Sequence, residues 1–451
     1  MAELSGPTPP CRKGALRRAA ERVLLPSGFP HSVSPDYLQY QCWDSAQALC
    51  SSLSGIIATR AVFEAVGVGD GAATPMGATL TWLLRDGVGM VTRIAFASIQ
   101  GSALDCEAKQ WRLAADVIND AALLLELSAP AWPGAAPLVL AGAAAARSVV
   151  GVAGGATRAA IAVHQARRDN AAEVAAKDGS QETVVNALGL LLALLLLPVL
   201  EGRPWLTWLL VLLLTAAHLG ANMAAVRSLC IPTLNRPRLR LALSGALRGL
   251  SGALRGPTDP KSPTPNKGGV TVAVPTPREV NPKEPLLPGF SSRLRLRLGA
   301  PKQSLVGSEA EFRKAVECGS PDYIIVLRPS QGWVGVGLRD GAPPDAPLRG
   351  CAHALLLEEL LGADLPPMAP MGAALRPLQQ RLRRCPPGSV PWATLAEISR
   401  LWDTLGPAFL RGLEDAGWST RRHQLAADEW RLQWAGPRPE SHAHPSLTTP
   451  T

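Results

Sequence analysis

The apolar positions of this chain fall into two regimes. From about residue 36 to residue 226 long apolar stretches dominate, and beyond residue 300 shorter segments change between helical and strand periods. Two uncharged runs stand out, 183–200 with 18 residues and 205–226 with 22 residues. A helix needs about 20 mainly apolar residues to cross a bilayer. Between the runs lies Glu201-Gly202-Arg203-Pro204, a polar turn with two helix breakers. The pair predicts a transmembrane hairpin with both ends on one side and Trp205 and Trp208 at the interface. Because Pro198 blunts the first run, one span plus a re-entrant or buried helix is the alternative.

Upstream, a helical pattern runs from Asp36 to Val66 after a Pro/Ser-rich turn region. Residues 75–127 read as two or three helices, broken at Asp86-Gly87-Val88-Gly89 and near Gly101. From Leu104 to Leu127 the period is 3.6, with Leu113, Val117, Leu124 and Leu127 on the apolar side and Asp116, Asn119 and Asp120 elsewhere. Residues 131–166 are mostly Ala, Gly and Val, and Gly151 and Gly155 form a G-x-x-x-G. That spacing lets membrane helices approach closely, and a tightly packed Ala-rich helix of a soluble bundle is the other reading.

Downstream, residues 236–300 are rich in Pro, Gly and Arg and read as a linker, partly disordered. Within it, Leu239 to Leu254 has the pattern of a basic amphipathic helix on a membrane surface, and Arg293 to Leu298 alternates like a strand. Residues 301–436 read as a small α+β domain. Glu309–Cys318, Cys351–Leu361 and Trp392–Ala416 are its helices. Tyr323–Arg328 and Trp333–Leu338 form a hairpin through Pro329-Ser330-Gln331-Gly332, and His423–Trp434 supplies a last strand. The fold class is thus mainly α, a helical membrane-embedded core with a transmembrane hairpin plus a small C-terminal α+β domain. The expected division is 1–24 flexible, 25–235 helical and membrane-associated, 236–300 linker, 301–436 soluble and 437–451 disordered tail.

Charge sharpens this picture. The 451 residues carry a net charge of +9, and only 18% are charged, against about 25% in ordinary soluble domains. Lys and Arg balance Asp and Glu at 17 each in residues 1–230 and 16 each in 301–451, whereas 231–300 holds 12 against 3. A basic stretch directly after the most apolar part is the mark of a cytosol-facing juxtamembrane segment, able to touch anionic lipid. It does not suggest nucleic acid, which favours a basic face on a folded domain. Of the 21 aromatic residues 12 are Trp, a residue of membrane interfaces. The eight cysteines are scattered without a C-x-x-C, so neither a zinc site nor a disulfide framework is expected. The N-terminus has four arginines but no apolar stretch, unlike a signal peptide.

Catalytic motifs of the phosphate-loop, H-E-x-x-H and G-x-S-x-G types are missing from the sequence, and no catalytic residue, cofactor or metal is expected. The best site candidate gathers Arg158, His164, Arg167, Arg168 and Lys177. His164, Arg167 and Arg168 share a helix face at i, i+3 and i+4, and guanidinium forks suit carboxylate and phosphate. An anion site at the mouth of a membrane bundle is one reading. Ion pairs, with a helix stop at Asp178-Gly179 and an N-cap at Ser180, are the other. Arg85, Arg93, Asp116 and Asp120 are candidate buried ion-pair partners, since charge in apolar surroundings turns inward and pairs. Arg85-Asp86-Gly87 also reads as a helix end.

Three blocks go beyond packing: Leu25 to Asp44; Trp82 with Arg85-Asp86-Gly87-Val88-Gly89, Arg93, Phe96 and Lys109 to Asp120; and Gly154 to Ala159 with His164 to Asn170 and Ala176 to Thr183. In order and spacing, together with Thr233-Leu234-Asn235-Arg236, they resemble the root UVB sensitive family over about residues 24–240. The C-terminal part resembles that of the family's animal member. The resemblance implies membrane association, no established enzymatic activity, and partnership between family members. For plant relatives it implies links to root ultraviolet-B responses, auxin transport and vitamin B6 status. The reading favoured at this level is an integral membrane, non-enzymatic scaffold or adaptor, with linker and C-terminal domain facing the cytosol. Its expected partners are membrane lipid and a family member or other protein. The alternative is a carrier or sensor of a small anionic metabolite such as pyridoxal phosphate.

Overall fold

The computed structural model describes residues 21–68, 74–253, 272–287, 294–362, 370–386 and 388–434. Most of the expected N-terminal segment, the tail 437–451 and linker residues 254–271 lie outside the described residues. The chain divides into two compact units, one built from residues up to Ile231 plus 285–290, the other from 232–284 and 291 onward.

The first unit is a bundle of six long helices: α1 Tyr37–Ala65, α2 Pro75–Cys106, α3 Ala108–Ser128, α4 Ala136–Gln165, α5 Ala171–Leu200 and α6 Pro204–Ser228. The two uncharged runs form α5 and α6, turned by Gly202 in left-handed conformation. The two helices hardly touch each other; α1 packs against both. Four helices, α1, α4, α5 and α6, are long and apolar enough to cross a membrane. Helix α2 runs unbroken through Gly87, Gly89 and Gly101, so the expected breaks there are absent. Gly89 earns its place by packing, because a Cβ on it would stand 2.9 Å from the Ser148 hydroxyl of α4. The expected close approach at Gly151 and Gly155 is not made: an added Cβ on Gly155 would meet nothing within 4 Å. Helix α5 likewise passes through Asp178 and Gly179, and Ser180 bonds back to the Ala176 carbonyl instead of capping. The helix stop falls earlier, where Asp169 takes a positive φ between α4 and α5.

The second unit starts with β1 Thr233–Asn235 and α7 Arg236–Ala253. Asn235 caps α7 by accepting the Arg238 amide N–H at 2.9 Å. Helix α7 corrects the expectation of a linker here. Leu239, Ala242, Leu243 and Ala246 are buried in this unit's core, so its apolar face meets protein, not lipid. A mixed three-stranded sheet follows, in the order β2 (Arg295–Leu298), β4 (Trp333–Leu338), β3 (Tyr323–Arg328), with β2 parallel and β3 antiparallel to β4. The hairpin turns at Gly332, in left-handed conformation. One sheet face packs on α9 (Ala346–Gly362) and α11 (Trp392–Asp415), the other on α8 (Glu309–Cys318). Helix α10 (Pro370–Arg383) completes the layer. Gly335 and Gly337 leave room for Leu305, whose methyls an added Cβ would meet at 2.3 and 2.9 Å. The final strand, β5, is Ser419–Gln424, earlier than expected, and pairs in parallel with β1.

Candidate functional site

Helix α3 is the polar spine of the bundle. Lys109, Arg112, Asp116, Asn119, Asp120 and Glu126 on it are all buried. Ordinary helices turn such residues to water, so each must find a partner inside. Lys109 does so by donating to the Leu229 carbonyl at the end of α6, at 2.7 Å. Arg112 pairs with Asp44 of α1 at 2.7 Å. Glu126 takes Arg147 of α4 through two bonds, at 2.9 and 2.6 Å, and Arg85 of α2 at 3.4 Å. Asp116 accepts from Gln47 of α1 at 2.7 Å and Asn222 of α6 at 2.5 Å. Asp120 pairs with His218 of α6 at 2.8 Å.

Asp44, Gln47, Arg85, Arg112, Asp116, Glu126 and Arg147 from this set line a partly open cavity of about 660 Å³. Its wall includes four arginines (85, 112, 147, 158) and four acids (Asp44, Asp116, Glu126, Glu182), with Gln47, Ser51, Ser52, Asn119 and Asn186 between them. Volume and lining suit a polar small molecule. Several buried polar atoms have no partner, among them Gln47 Oε1, Arg112 Nε and Asn222 Oδ1. Burial pushes the Asp116 carboxyl above the ordinary range; Asp44 and Asp120 add to this, while Arg112 and His218 oppose it.

The sequence-predicted site residues disperse. Arg158 lines the cavity but is paired with Asp178 at 3.1 Å and Glu182 at 2.7 Å. His164, at the end of α4, faces Asp36 at 2.9 Å. Burial works against the charged form of Asp36, yet bonds from His164, the Cys230 amide and Ser34 overcome it and hold the carboxyl below its usual range. Lys177 donates to the Arg22 carbonyl. Arg167 and Arg168 are exposed, and the Arg167 amide joins Ser32 where segments 32–34 and 165–167 pair. This contact unites the first and third sequence blocks around the start of α5, where Gln181 also holds the Leu24 carbonyl and the Tyr37 hydroxyl. Only Arg158 of the five faces the cavity. Among the ion-pair candidates, Arg85 meets Glu126 and exposed Arg93 lies beside Gly151. Asp116 and Asp120 turn to amides and a histidine, not to arginines. The sequence reading missed Asp44, Gln47, Glu126, Arg147, His218 and Asn222. A signal existed for the last two: polar residues four apart on one face of an apolar run mark a bundle interior.

Comparison with known proteins places the cavity in a family. Residues 11–249 match the domain described as vitamin B6 photo-protection and homoeostasis, and residues 273–434 match the C-terminal domain of root UVB sensitive proteins. The chain belongs to the root UVB sensitive family. It is 32% identical over 417 residues to protein root UVB sensitive 3 of Arabidopsis thaliana, covering 92% of this chain and 86% of that one. To RUS family member 1 of Dictyostelium discoideum it is 45% identical over 223 residues, 49% of this chain and 42% of the relative, so that match spans less than half of the relative's length. Protein root UVB sensitive 5 of Arabidopsis thaliana is 30% identical over 230 residues, 48% of this chain and 45% of the relative. No solved structure matches. Every residue of the cavity wall falls inside the vitamin B6 photo-protection and homoeostasis domain.

Proposed function

We propose that this root UVB sensitive family member is a non-enzymatic membrane protein that carries or senses a small anionic metabolite, held in the cavity between α1, α2, α3, α4 and α5. The observation that carries this reading is a roomy polar chamber inside a bundle whose outside is apolar. Leu190, Leu191, Leu194 and Leu195 of α5 and Leu209, Leu212 and Leu213 of α6 are all exposed, a surface that water disfavours and lipid accepts. Exposed Trp132 and Trp208 flank one groove at the α5–α6 turn with Arg60 and Arg203, as residues at a headgroup layer do. The basic stretch after residue 231 then faces the cytosol.

The anion end of the cavity is Arg85 with Arg147, two guanidiniums that share the single carboxylate of Glu126. Arg158 already has two acids and is the poorer candidate. Pyridoxal 5′-phosphate is the first ligand to test, given the domain's description, and its phosphate matches the guanidinium fork. Native mass spectrometry of the detergent-purified chain should show one bound pyridoxal 5′-phosphate. Arg85→Gln, which breaks the longer of the two pairs, should weaken it at least tenfold, by about 1.4 kcal/mol. Undiminished binding in Arg85→Gln would remove the anion assignment.

A scaffold role is the second reading. It is favoured by the exposed apolar face of α2, including Leu83, Met90, Val91 and Ile94, which could dock the helix of a membrane partner. A chain that binds no small anion but holds a stoichiometric protein in mild detergent would bring that reading forward.

A further inference from the structure

From the cavity wall inward, α1, α3 and α6 enclose a buried polar chain. Gln47 is 6% exposed, Asp116 8%, Asp120 3%, His218 1% and Asn222 0%. The Gln47 amide nitrogen is its centre. It donates one hydrogen to Asp116 Oδ2 at 2.7 Å and turns the other to His218 Nε2 at 3.3 Å. His218 Nδ1 faces the Asp120 carboxylate at 2.8 Å, which keeps the proton on Nδ1 and leaves Nε2 an acceptor. Asn222 adds a second amide donor to Asp116 Oδ2. This pattern of two amide donors on one oxygen fits an ionised Asp116.

The same amides suit the opposite state. The carbonyl oxygens Gln47 Oε1 and Asn222 Oδ1 have no partner. If Gln47 turns over about its last bond, Oε1 replaces Nε2 and faces both Asp116 and His218. That arrangement is satisfied only when Asp116 carries a proton and His218 carries one on Nε2. An amide with a donating and an accepting face between two titratable groups is a two-state element. Its turn also brings N–H donors to where the unpartnered oxygen now stands, and Gln47 belongs to the cavity wall.

We infer that Gln47, Asp116 and His218 form a proton-binding site, and that proton uptake there strengthens anion binding in the adjoining cavity. The coupling rests on the cavity's reading as an anion site. Protonation removes the Asp116 charge from the wall, so the cavity becomes more positive by one charge while its arginines stay charged. By linkage, anion binding must then draw protons in. The groups facing the site set its working range. Arg112 and Asp120 come from α3 itself, Asp44, Tyr40 and Cys50 from α1, and His218 from α6. Arg147 of α4 reaches Asn119, and Arg85 of α2 reaches Glu126. Burial raises the proton affinity of Asp116 above that of an ordinary carboxylate, and ionisable groups inside membrane bundles serve proton relays.

Two measurements on the full chain in liposomes test this. The first uses no ligand. Infrared difference spectra between acid and neutral pH should show a protonated-carboxyl band that is missing in Asp116→Asn; an unchanged band in that variant overturns the proton site. The second compares pyridoxal 5′-phosphate affinity against pH in the two proteins, which cancels the ligand's own titration. The unmodified chain should gain up to tenfold more per pH unit on acidification than Asp116→Asn, whose amide mimics the neutral acid and should bind tightly throughout. Equal slopes overturn the coupling while leaving the cavity reading intact. A titrating Asp116 without any anion binding overturns both the cavity reading and the coupling. If Asp116→Asn fails to insert, Gln47→Leu replaces it. Cutting the bridge should shift the pH midpoint of the carboxyl band, and an unmoved midpoint counts against the inference.

Discussion

The two units of this chain are built on opposite plans. In the C-terminal unit a large apolar core runs from α7 through the sheet to α11, a smaller one fills the other sheet face, and the charged residues lie mostly outside. In the N-terminal unit the buried apolar residues form several small clusters, while α3 carries its charges into the centre and α5 and α6 show leucine to the outside. The difference teaches what each unit treats as solvent. Burying apolar surface stabilises only against water. On the proposed membrane reading, a bundle with lipid around it gains nothing by hiding leucine, and polar pairs and close packing hold its helices instead.

The comparison breaks first at the leucines. Leu355 of α9 is buried in the core, and Leu355→Ala should cost about 4 kcal/mol, read as an earlier denaturant midpoint for the C-terminal unit. Leu194 of α5 is exposed, and Leu194→Ala should stay within about 0.5 kcal/mol. Equal losses would mean that the leucine face is covered by protein. The next effect belongs to the polar interior. Glu126→Gln strips the shared partner from Arg85 and Arg147 and should cost about 3 kcal/mol, seen as a lower melting temperature in detergent. A neutral result would make these pairs incidental to the bundle.

A third effect is one of pH, and it separates the units. His353 stacks on Trp402 with ring centroids 5.6 Å apart, its Nδ1 3.3 Å from the Tyr323 hydroxyl, and burial pushes its pKa down to about 3. The unfolded chain takes up the proton below about 6.5, the folded unit only near 3. Stability of the C-terminal unit should therefore fall as pH drops through that window, by up to about 1.4 kcal/mol per pH unit. His353→Phe should flatten the slope in acid unfolding curves; an unaltered slope would locate the sensitivity elsewhere.

Much of this architecture is legible in the sequence. The uncharged runs became α5 and α6, and Tyr323–Arg328 and Trp333–Leu338 became the hairpin with the expected ends. The errors have local causes. Gly87, Gly89 and Gly101 read as breakers, but a glycine costs a helix only about 1 kcal/mol, which a helix of 32 residues absorbs; at Gly89 the missing Cβ also makes room for Ser148. The basic stretch around α7 read as membrane-facing because its sequence shows an amphipathic face without showing what covers it. Arg238 illustrates this: it is fully buried, bonded to Glu284 at 2.9 Å and the Thr233 carbonyl at 2.7 Å. The site was legible only in part. Clustering along the chain pointed to Arg158 and Lys177, and tertiary structure spent both on neighbours across α4, α5 and the N-terminal loop.

By itself the sequence determined the helix periods, the apolar runs, the hairpin, the place of the charge excess and the family. These are local properties, fixed by which side chains follow one another at 3.6 or 2 residues per turn. Only the tertiary structure decided which polar faces meet. Gln47 reaches Asp116 across 69 residues and His218 across 171. No spacing in the chain encodes such a meeting, because it depends on how six helices pack and on what their centre must satisfy once water is excluded.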